Sequence, residues 1–575
     1  MRLDLILDDA DIVTLEPARP RARRVGVLHG RIVGFDEELD GCTAERIVSL
    51  GGAAVVPGFI DAHCHTTWWG LGLSAVDLEP ARGLEELYAL LEAEVARLAD
   101  RPGVWVNGTG YNHKNHGGAF PDIDRLDAIT GDRPLYLRHV SGHLSITNTA
   151  TLALAGVLTP GFEDPVGGAV LRGRDGRPTG AVEESAQSLI QDLLLPYPVE
   201  QIVKALDDAT TRYAAEGITS FTEAGIGGGW IGHSPVELQA YQAARAAGRL
   251  HARAQLMPAL DALRPLAANA ADMHGEGRGL GFDLGLPAGF GDDFLSLGPV
   301  KVFMDGSLLG ATAAVTEDYC GHPHNHGYLL DDAESFRERV AGAYRAGWPV
   351  ALHAIGDAAI DLATEIIIGC QDKYGRNALP NRIEHFGIAR PEQVRLVAEH
   401  GIAVTPQAAF IGPLGDQMAE LVGPEREGWL YRGRSLVDAG AVLAGSSDLP
   451  VADNNVRRGM QAWVDRLTEN GRVLGGTAAD GTATEALTAE EALRTYTEWA
   501  AVATGTEADK GTLRAGKLAD FAVLSASPLA AADISSLDVL ATIVGGRFTH
   551  NTLDASAEPA GAAPVNATAS NGAHR

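Results

Sequence analysis

Between residues 55 and 450 one pattern recurs: a short apolar run, often closed by a polar residue, followed by a segment of helical period. The runs are VVPGFIDAHCH (55–65), GITSFTE (217–223), HARAQLM (251–257), GPVKVFMDG (298–306), PVALHAIGD (349–357), NRIEHFG (381–387), GIAVTPQ (401–407) and AVLAGSSDLP (441–450). Between them, segments such as DAESFRERVAGAYRAG and RPEQVRLVAEHG repeat apolar residues at helical spacing, the second with a proline where a first helical turn tolerates it. Eight strand–helix units predict an α/β fold, a (β/α)8 TIM barrel over residues 58–510.

The two ends and one gap break this rhythm. Residues 1–57 are short Val/Ile/Leu runs separated by turn formers, and LADFAVLSASPL and VLATIVGGRFTH repeat that pattern near the other end. The expectation is a small discontinuous β-sandwich domain built from residues 1–57 plus 511–550. About 150 residues separate His65 from Ile218, far more than one helix needs, and LYLRHVSGHLSITNTATLALAG within them reads as a strand and helix of its own. Residues 70–200 are therefore read as a large insertion after strand 1, at the end of a barrel where loops carry specificity. The last stretch, 551–575, is rich in Ala, Asn, Ser and Pro, lacks an apolar face, and is expected to be a disordered tail.

Composition narrows the function classes. A formal charge of −29 over 575 residues repels phosphate backbones and anionic lipid, which argues against nucleic-acid or membrane-surface binding. The four cysteines are far apart with no C-x-x-C pair, no run reaches the ~18 apolar residues of a membrane helix, and the N-terminus is acidic. A cytoplasmic location is expected.

Several chemistry-bearing residues fall at strand ends. His63 and His65 flank Cys64 and, on a strand, would share a face; two imidazoles side by side suit a divalent transition metal. His353 closes PVALH, His385 closes NRIEH, Asp448 follows AVLAGSS, and Lys301 lies inside an otherwise apolar strand where a charge is expensive without a partner. Five strands thus deliver His, His, Lys, His, His and Asp to one end of one barrel.

The strings PGFIDAHCH, KVFMDGSL, ALHAIGD, RIEHFG, GSSDLP and GTLRAGKLADFAVL resemble the amidohydrolase superfamily, in its amidohydrolase-3, YtcJ-like branch, over residues 3–550. The resemblance implies that His63, His65, Lys301, His353, His385 and Asp448 hold one or two divalent ions, zinc first. It implies that Lys301 can carry a carboxylate from CO2 and bridge two ions. It makes Asp448 the proton carrier, and it brings His143, in RHVSGHLSITNT, into the substrate pocket as a second catalytic residue, with a packing role as the alternative. Tyr111 and Asn112 stand where the branch more often has Trp-Asp.

Other residues carry two readings each. Glu384 is either a site residue or half of a barrel-wall ion pair, and Trp68 and Trp69 either wall a pocket or pack a helix. His322, His324 and His326 in CGHPHNHG form either a second metal cluster or a solvated loop. The expected reaction is hydrolysis of a C–N amide bond in a small molecule by metal-activated water, first of all deformylation of N-substituted formamides to formate and amine. Hydrolysis of other N-acyl or cyclic amides, amidine deamination, a metal-dependent lyase and a regulatory protein are the alternatives. Homodimerisation is common for such barrels.

Overall fold

Strands buried on both faces need apolar residues at every position, and this is how the recurring runs fold. The computed structural model describes residues 1–553 except 102, 140–143, 166–167, 230 and 480. The tail expected at 551–575 therefore lies outside the described residues from 554 onward. Phe59–Cys64, Ile218–Ile226, Arg253–Pro258 and Leu295–Leu297 pair in parallel as one four-stranded sheet. Val300–Phe303, Val350–Ala354, Arg382–His385 and Ala403–Thr405 form a second parallel sheet. Helices such as Val199–Ala215, Ala333–Arg345, Asp357–Tyr374 and Pro391–His400 alternate with these strands.

Isolated pairings link the two sheets. Ala259 pairs in parallel with Lys301 on one side. On the other, Val404 pairs with Leu443, and Ala62 donates its N–H to the Gly445 carbonyl at 3.2 Å. The eighth expected run, AVLAGSSDLP, carries that single bridge at Leu443 and is otherwise irregular. Leu295–Leu297 is an extra strand that the sequence pattern did not announce.

The first run also departs from expectation, because it feeds two different sheets. Ala54–Pro57 pairs with Phe521–Leu524, while Phe59–Cys64 pairs with Ile218–Ile226. The break falls at Gly58, where a Cβ would lie 2.3 Å from the Thr219 side chain, so only glycine lets the chain cross there.

Chain ends meet in a six-stranded sheet ordered Arg547–Asn551, Val539–Val544, Phe521–Leu524, Ala54–Pro57, Asp11–Val13, Arg21–Ala22. A four-stranded sheet of Arg31–Phe35, Val25–Leu28, Arg2–Asp8 and Thr43–Ser49 accompanies it. Alternation sorts the central strands of the larger sheet between two cores. Val55, Phe521 and Val523 pack with Leu5, Leu7, Val25 and Val27. Ala54, Val56, Ala522 and Leu524 join Phe59 and Ile218 in the main core.

Between the first two parallel strands a further six-stranded sheet runs from Val76–Asp77 to Pro178–Glu184, with apolar clusters of its own. The segment read as one strand and one helix is two strands, Leu135–His139 and Leu144–Thr147, followed by helix Thr149–Leu154. Asn148 caps that helix by accepting from the Thr151 N–H at 3.0 Å.

A buried ion pair joins the terminal strands to the parallel sheet: Arg253 Nε lies 2.7 Å from Asp520, both side chains almost fully enclosed. Asp520 also accepts from the Gly545 N–H at 2.7 Å. Removing the guanidinium leaves a carboxylate buried without its counter-ion, which costs about 3–5 kcal/mol. Arg253→Ala is therefore expected to lower the thermal unfolding midpoint by several degrees, and Arg253→Met with Asp520→Leu to recover part of that loss; an unchanged midpoint in the single variant would show that the pair holds nothing together.

Candidate metal centre

Backbone pairing brings the first two histidines and the distant aspartate together. The Asp448 N–H donates to the His63 carbonyl and the His65 N–H to the Leu449 carbonyl, each at 2.8 Å. Asp61 adds a side-chain clamp, accepting from the Ser447 N–H at 3.1 Å and Ser447 Oγ at 2.5 Å. Burial pushes the Asp61 carboxyl up to about 6 against those hydrogen bonds. As a result Asp448 Oδ1 lies 3.3 Å from His63 Nε2 and 3.1 Å from His65 Nε2. The strand ends at Cys64, so His65 reaches the site from the residue before helix Thr66–Leu73 rather than from the strand face.

His385 and His353 complete the cluster. The His385 ring centre lies 4.9 Å from that of His63 and 4.3 Å from that of His353. His385 and Asp448 both have positive φ, 71° and 54°, a conformation that side chains other than glycine, asparagine and aspartate seldom adopt. Lys301 is 1% exposed and its Nζ has no hydrogen-bond partner. Burial pulls its ammonium down to about 8, with Glu384 and Asp448 opposing.

Three histidines are held through Nδ1 by a residue on another part of the sheet. His63 Nδ1 donates to Glu384, whose carboxylate also accepts from Arg382 Nε and Nη2 at 2.8 Å and Thr405 Oγ1 at 2.9 Å. Glu384 is thus both the ion-pair partner of Arg382 and the orienting group for His63. His353 Nδ1 donates to Asp305 at 2.9 Å, and His385 Nδ1 to Gln407 Oε1 at 2.8 Å. The Gln407 amide is oriented by its own donors, which reach the Thr405 carbonyl at 2.7 Å and Ser446 Oγ at 3.0 Å. An imidazole that gives away its Nδ1 proton keeps the Nε2 lone pair for a metal.

Protonation agrees with that role. Burial draws His65 down to about 4, His353 to about 3 and His385 well below the usual imidazole range, so all three are neutral donors. Burial works against ionisation of Asp448, yet the adjacent His63 and His65 imidazoles hold it well below the ordinary carboxylate range. One ligand atom each from His63, His65 and Asp448 lies within 4.8 Å of the others. Buried His63 Nε2 and Lys301 Nζ lack hydrogen-bond partners beside them. Imidazoles with a carboxylate are the donor set of a borderline divalent ion, and these residues fit one.

The remaining candidates separate. Trp68 sits beside the centre, its ring 5.8 Å from that of His65, with the Arg138 guanidinium carbon 5.5 Å from its ring centre. Trp69 instead stacks on Tyr213 at 5.7 Å, a packing role. Tyr111 is fully buried in the inserted sheet's core, against His116 and His139. His322, His324 and His326 are exposed, and His326 pairs with Asp318 at 3.0 Å. His143 lies outside the described residues.

Asp305, Gln407, Asp61 and Glu223 were not singled out from sequence. Glu223 accepts from the Thr66 and Thr67 N–H groups at 2.9 and 3.2 Å and from Tyr241 at 2.5 Å, fixing the start of the helix after His65. Burial pushes its carboxyl up to about 8. Such partners have no characteristic spacing: all four stood inside the quoted runs PGFIDAHCH, GITSFTE, KVFMDGSL and GIAVTPQ with nothing to set them apart.

Comparison with known proteins agrees with this geometry. The model of the amidohydrolase family matches residues 46–550. The chain is 28% identical to the putative amidohydrolase YtcJ of Bacillus subtilis, over 88% of this chain and 90% of that protein. It is 28% identical to the N-substituted formamide deformylase of Arthrobacter pascens, over 94% and 97%. Among solved structures, an uncharacterized metal-dependent hydrolase from Pyrococcus horikoshii superposes with a TM-score of 0.73 at 25% identity, covering 92% of this chain and 99% of that one. With a match spanning nearly the whole chain and buried imidazoles and a carboxylate gathered at the ends of its parallel strands, this chain belongs to the amidohydrolase family, a family of hydrolytic enzymes.

Proposed function

We propose that the protein hydrolyses a carbon–nitrogen amide bond of a small molecule, using zinc held by His63, His65, His353, His385 and Asp448. The observation that carries this reading is Asp448, an ionised carboxylate within 3.3 Å of two histidines in a buried site. The fold that goes with it is a closed (β/α)8 barrel over residues 58–510, with residues 70–200 as the insertion and 1–57 plus 511–550 as a separate β-sandwich domain. A divalent ion held there would lower the pKa of a bound water toward neutrality and polarise a carbonyl.

The chain's own residues supply the rest. Glu384, Asp305 and Gln407 hold three imidazoles in the tautomer that leaves Nε2 free. Asp448, held ionised by its two imidazole neighbours, takes the proton from attacking water and returns it to the departing nitrogen. Lys301, neutral or carboxylated from CO2, lies on the fourth strand, and a carboxylated side chain there would let the site take a second ion. Trp68, half-buried beside His65, gives the pocket an apolar wall.

Deformylation of N-substituted formamides is the first substrate class to test, because a relative covered over nearly its whole length carries that name. A second reading, hydrolysis of an N-acyl amino acid, is favoured by Arg138, a cation lying over the face of Trp68. A panel of neutral formamides, N-formyl and N-acetyl amino acids and cyclic amides separates the two. Release of formate from neutral formamides supports the first; absence of turnover with any amide, in protein shown to hold its metal, refutes hydrolysis as the function.

Two further outcomes are expected. Chelation of the metal should abolish turnover and readdition of zinc restore it; turnover that survives in verified metal-free protein would dismiss the ion from the chemistry. Asp448→Asn should keep the histidines in place, retain most of the bound metal and lose about 10²–10⁴-fold in kcat with little change in KM. Near-normal kcat in that variant would remove Asp448 as the proton carrier.

A further inference from the structure

We propose that Asp305 is a positioning residue that ties His353 to the segment following strand Val300–Phe303, so that metal binding and the order of that segment depend on one carboxylate. The inference rests on the reading of His353 as a metal ligand.

Asp305 is buried, and four donors from two stretches of chain converge on it. Its Oδ1 accepts from His353 Nδ1 at 2.9 Å and from the Ile355 N–H at 3.1 Å. Its Oδ2 accepts from the Gly356 N–H at 2.9 Å and from the Ala314 N–H at 3.1 Å. Burial pushes the Asp305 carboxyl up to about 7 against these bonds, and what it supplies is geometry: a histidine held through Nδ1 by a fixed carboxyl has its ring orientation and tautomer set.

Ala314 is gripped from its other side as well. Its carbonyl accepts from the Ala358 N–H at 3.1 Å, at the start of helix Asp357–Tyr374. A Cβ on Gly356 would lie 1.9 Å from that same carbonyl, so the two backbones are as close as glycine allows. Thr316 then pins the next turn, its N–H and Oγ1 donating to Asp357 at 2.9 and 2.5 Å. The Ala314 backbone is therefore fixed to the exit of strand Val350–Ala354, where His353 sits, and Asp305 alone among these contacts reaches the imidazole itself.

The three orienting groups also differ in kind. Glu384 is neutralised by Arg382, Gln407 is an uncharged amide, and Asp305 is satisfied by N–H donors alone. Asparagine at 305 would keep the shape, but its amide N–H groups would face the backbone donors, so it cannot replace all four bonds.

The test uses the full chain loaded with cobalt, reading affinity by competition with a chelator and ligand geometry by visible absorption. Asp305→Asn is expected to weaken cobalt binding about ten- to hundredfold and to change the absorption bands. Thr316→Val, which loses only its hydroxyl contact with Asp357, should lower thermal stability and leave both readings unchanged. Affinity and spectrum of Asp305→Asn that match the wild type would overturn the proposal. Should that variant fail to fold, hydrogen exchange on the wild type decides: cobalt loading should slow exchange at Ala314, Ile355 and Gly356, and equal rates with and without cobalt would overturn it. Failure of the amide panel bears on the reaction only, whereas a wild type that binds no cobalt or zinc overturns both.

Discussion

The hydrogen bond from His63 Nδ1 to Glu384 is the constraint on which the centre depends. It joins strands Phe59–Cys64 and Arg382–His385 through a carboxylate that Arg382 neutralises, and Arg382 in turn donates to the Ala62 carbonyl at 2.7 Å. A buried imidazole, carboxylate and guanidinium each cost free energy alone and are tolerated here because each completes another's hydrogen bonds. The outcome is directional: with the outer nitrogen of the ring engaged, the inner one can only face the site.

That arrangement needs rigid surroundings, and the packing provides them. Helix Thr66–Leu73, which begins directly after His65, presses on helix Val199–Ala215 so closely that a Cβ on Gly70 would lie 2.1 Å from the Ala205 carbonyl. Its first N–H groups are taken by Glu223, so both ends of the connection around His65 are held. The terminal strands brace the opposite side, because Ala522 and Leu524 fill the main core together with Phe59 and Ile218.

Sequence reading recovered the parts of this molecule that carry a period or a spacing. Seven of the eight apolar runs are parallel strands at their expected places, and four histidines and a lysine lie in or beside them as their positions foretold. The eighth run did not form a regular strand, because GSSDLP spends its backbone on the His63–His65 edge and on Asp61 instead of on a ladder. The run VVPGFIDAHCH reads as one strand, although the expected boundary between residues 57 and 58 falls at the crossing at Gly58. Glu384 kept two readings because a regular strand would turn it away from His385, and both proved true of one carboxylate. Asp305, Gln407 and Glu223 lie far along the chain from their partners, and only tertiary structure puts them there.

The backbone at His385 and Asp448 carries the last step. Both residues sit in the left-handed region, and Phe386 follows His385 there with φ of 48°. Such conformations cost about 1–3 kcal/mol each and persist only where surrounding contacts over-determine them. At Asp448 those contacts are the His63 carbonyl and the Ser447–Asp61 clamp; at His385 they are the strand pairing behind it and Gln407 on its ring. Packing of the main core thus offsets the backbone cost of holding His385 and Asp448 where an unconstrained chain would not place them.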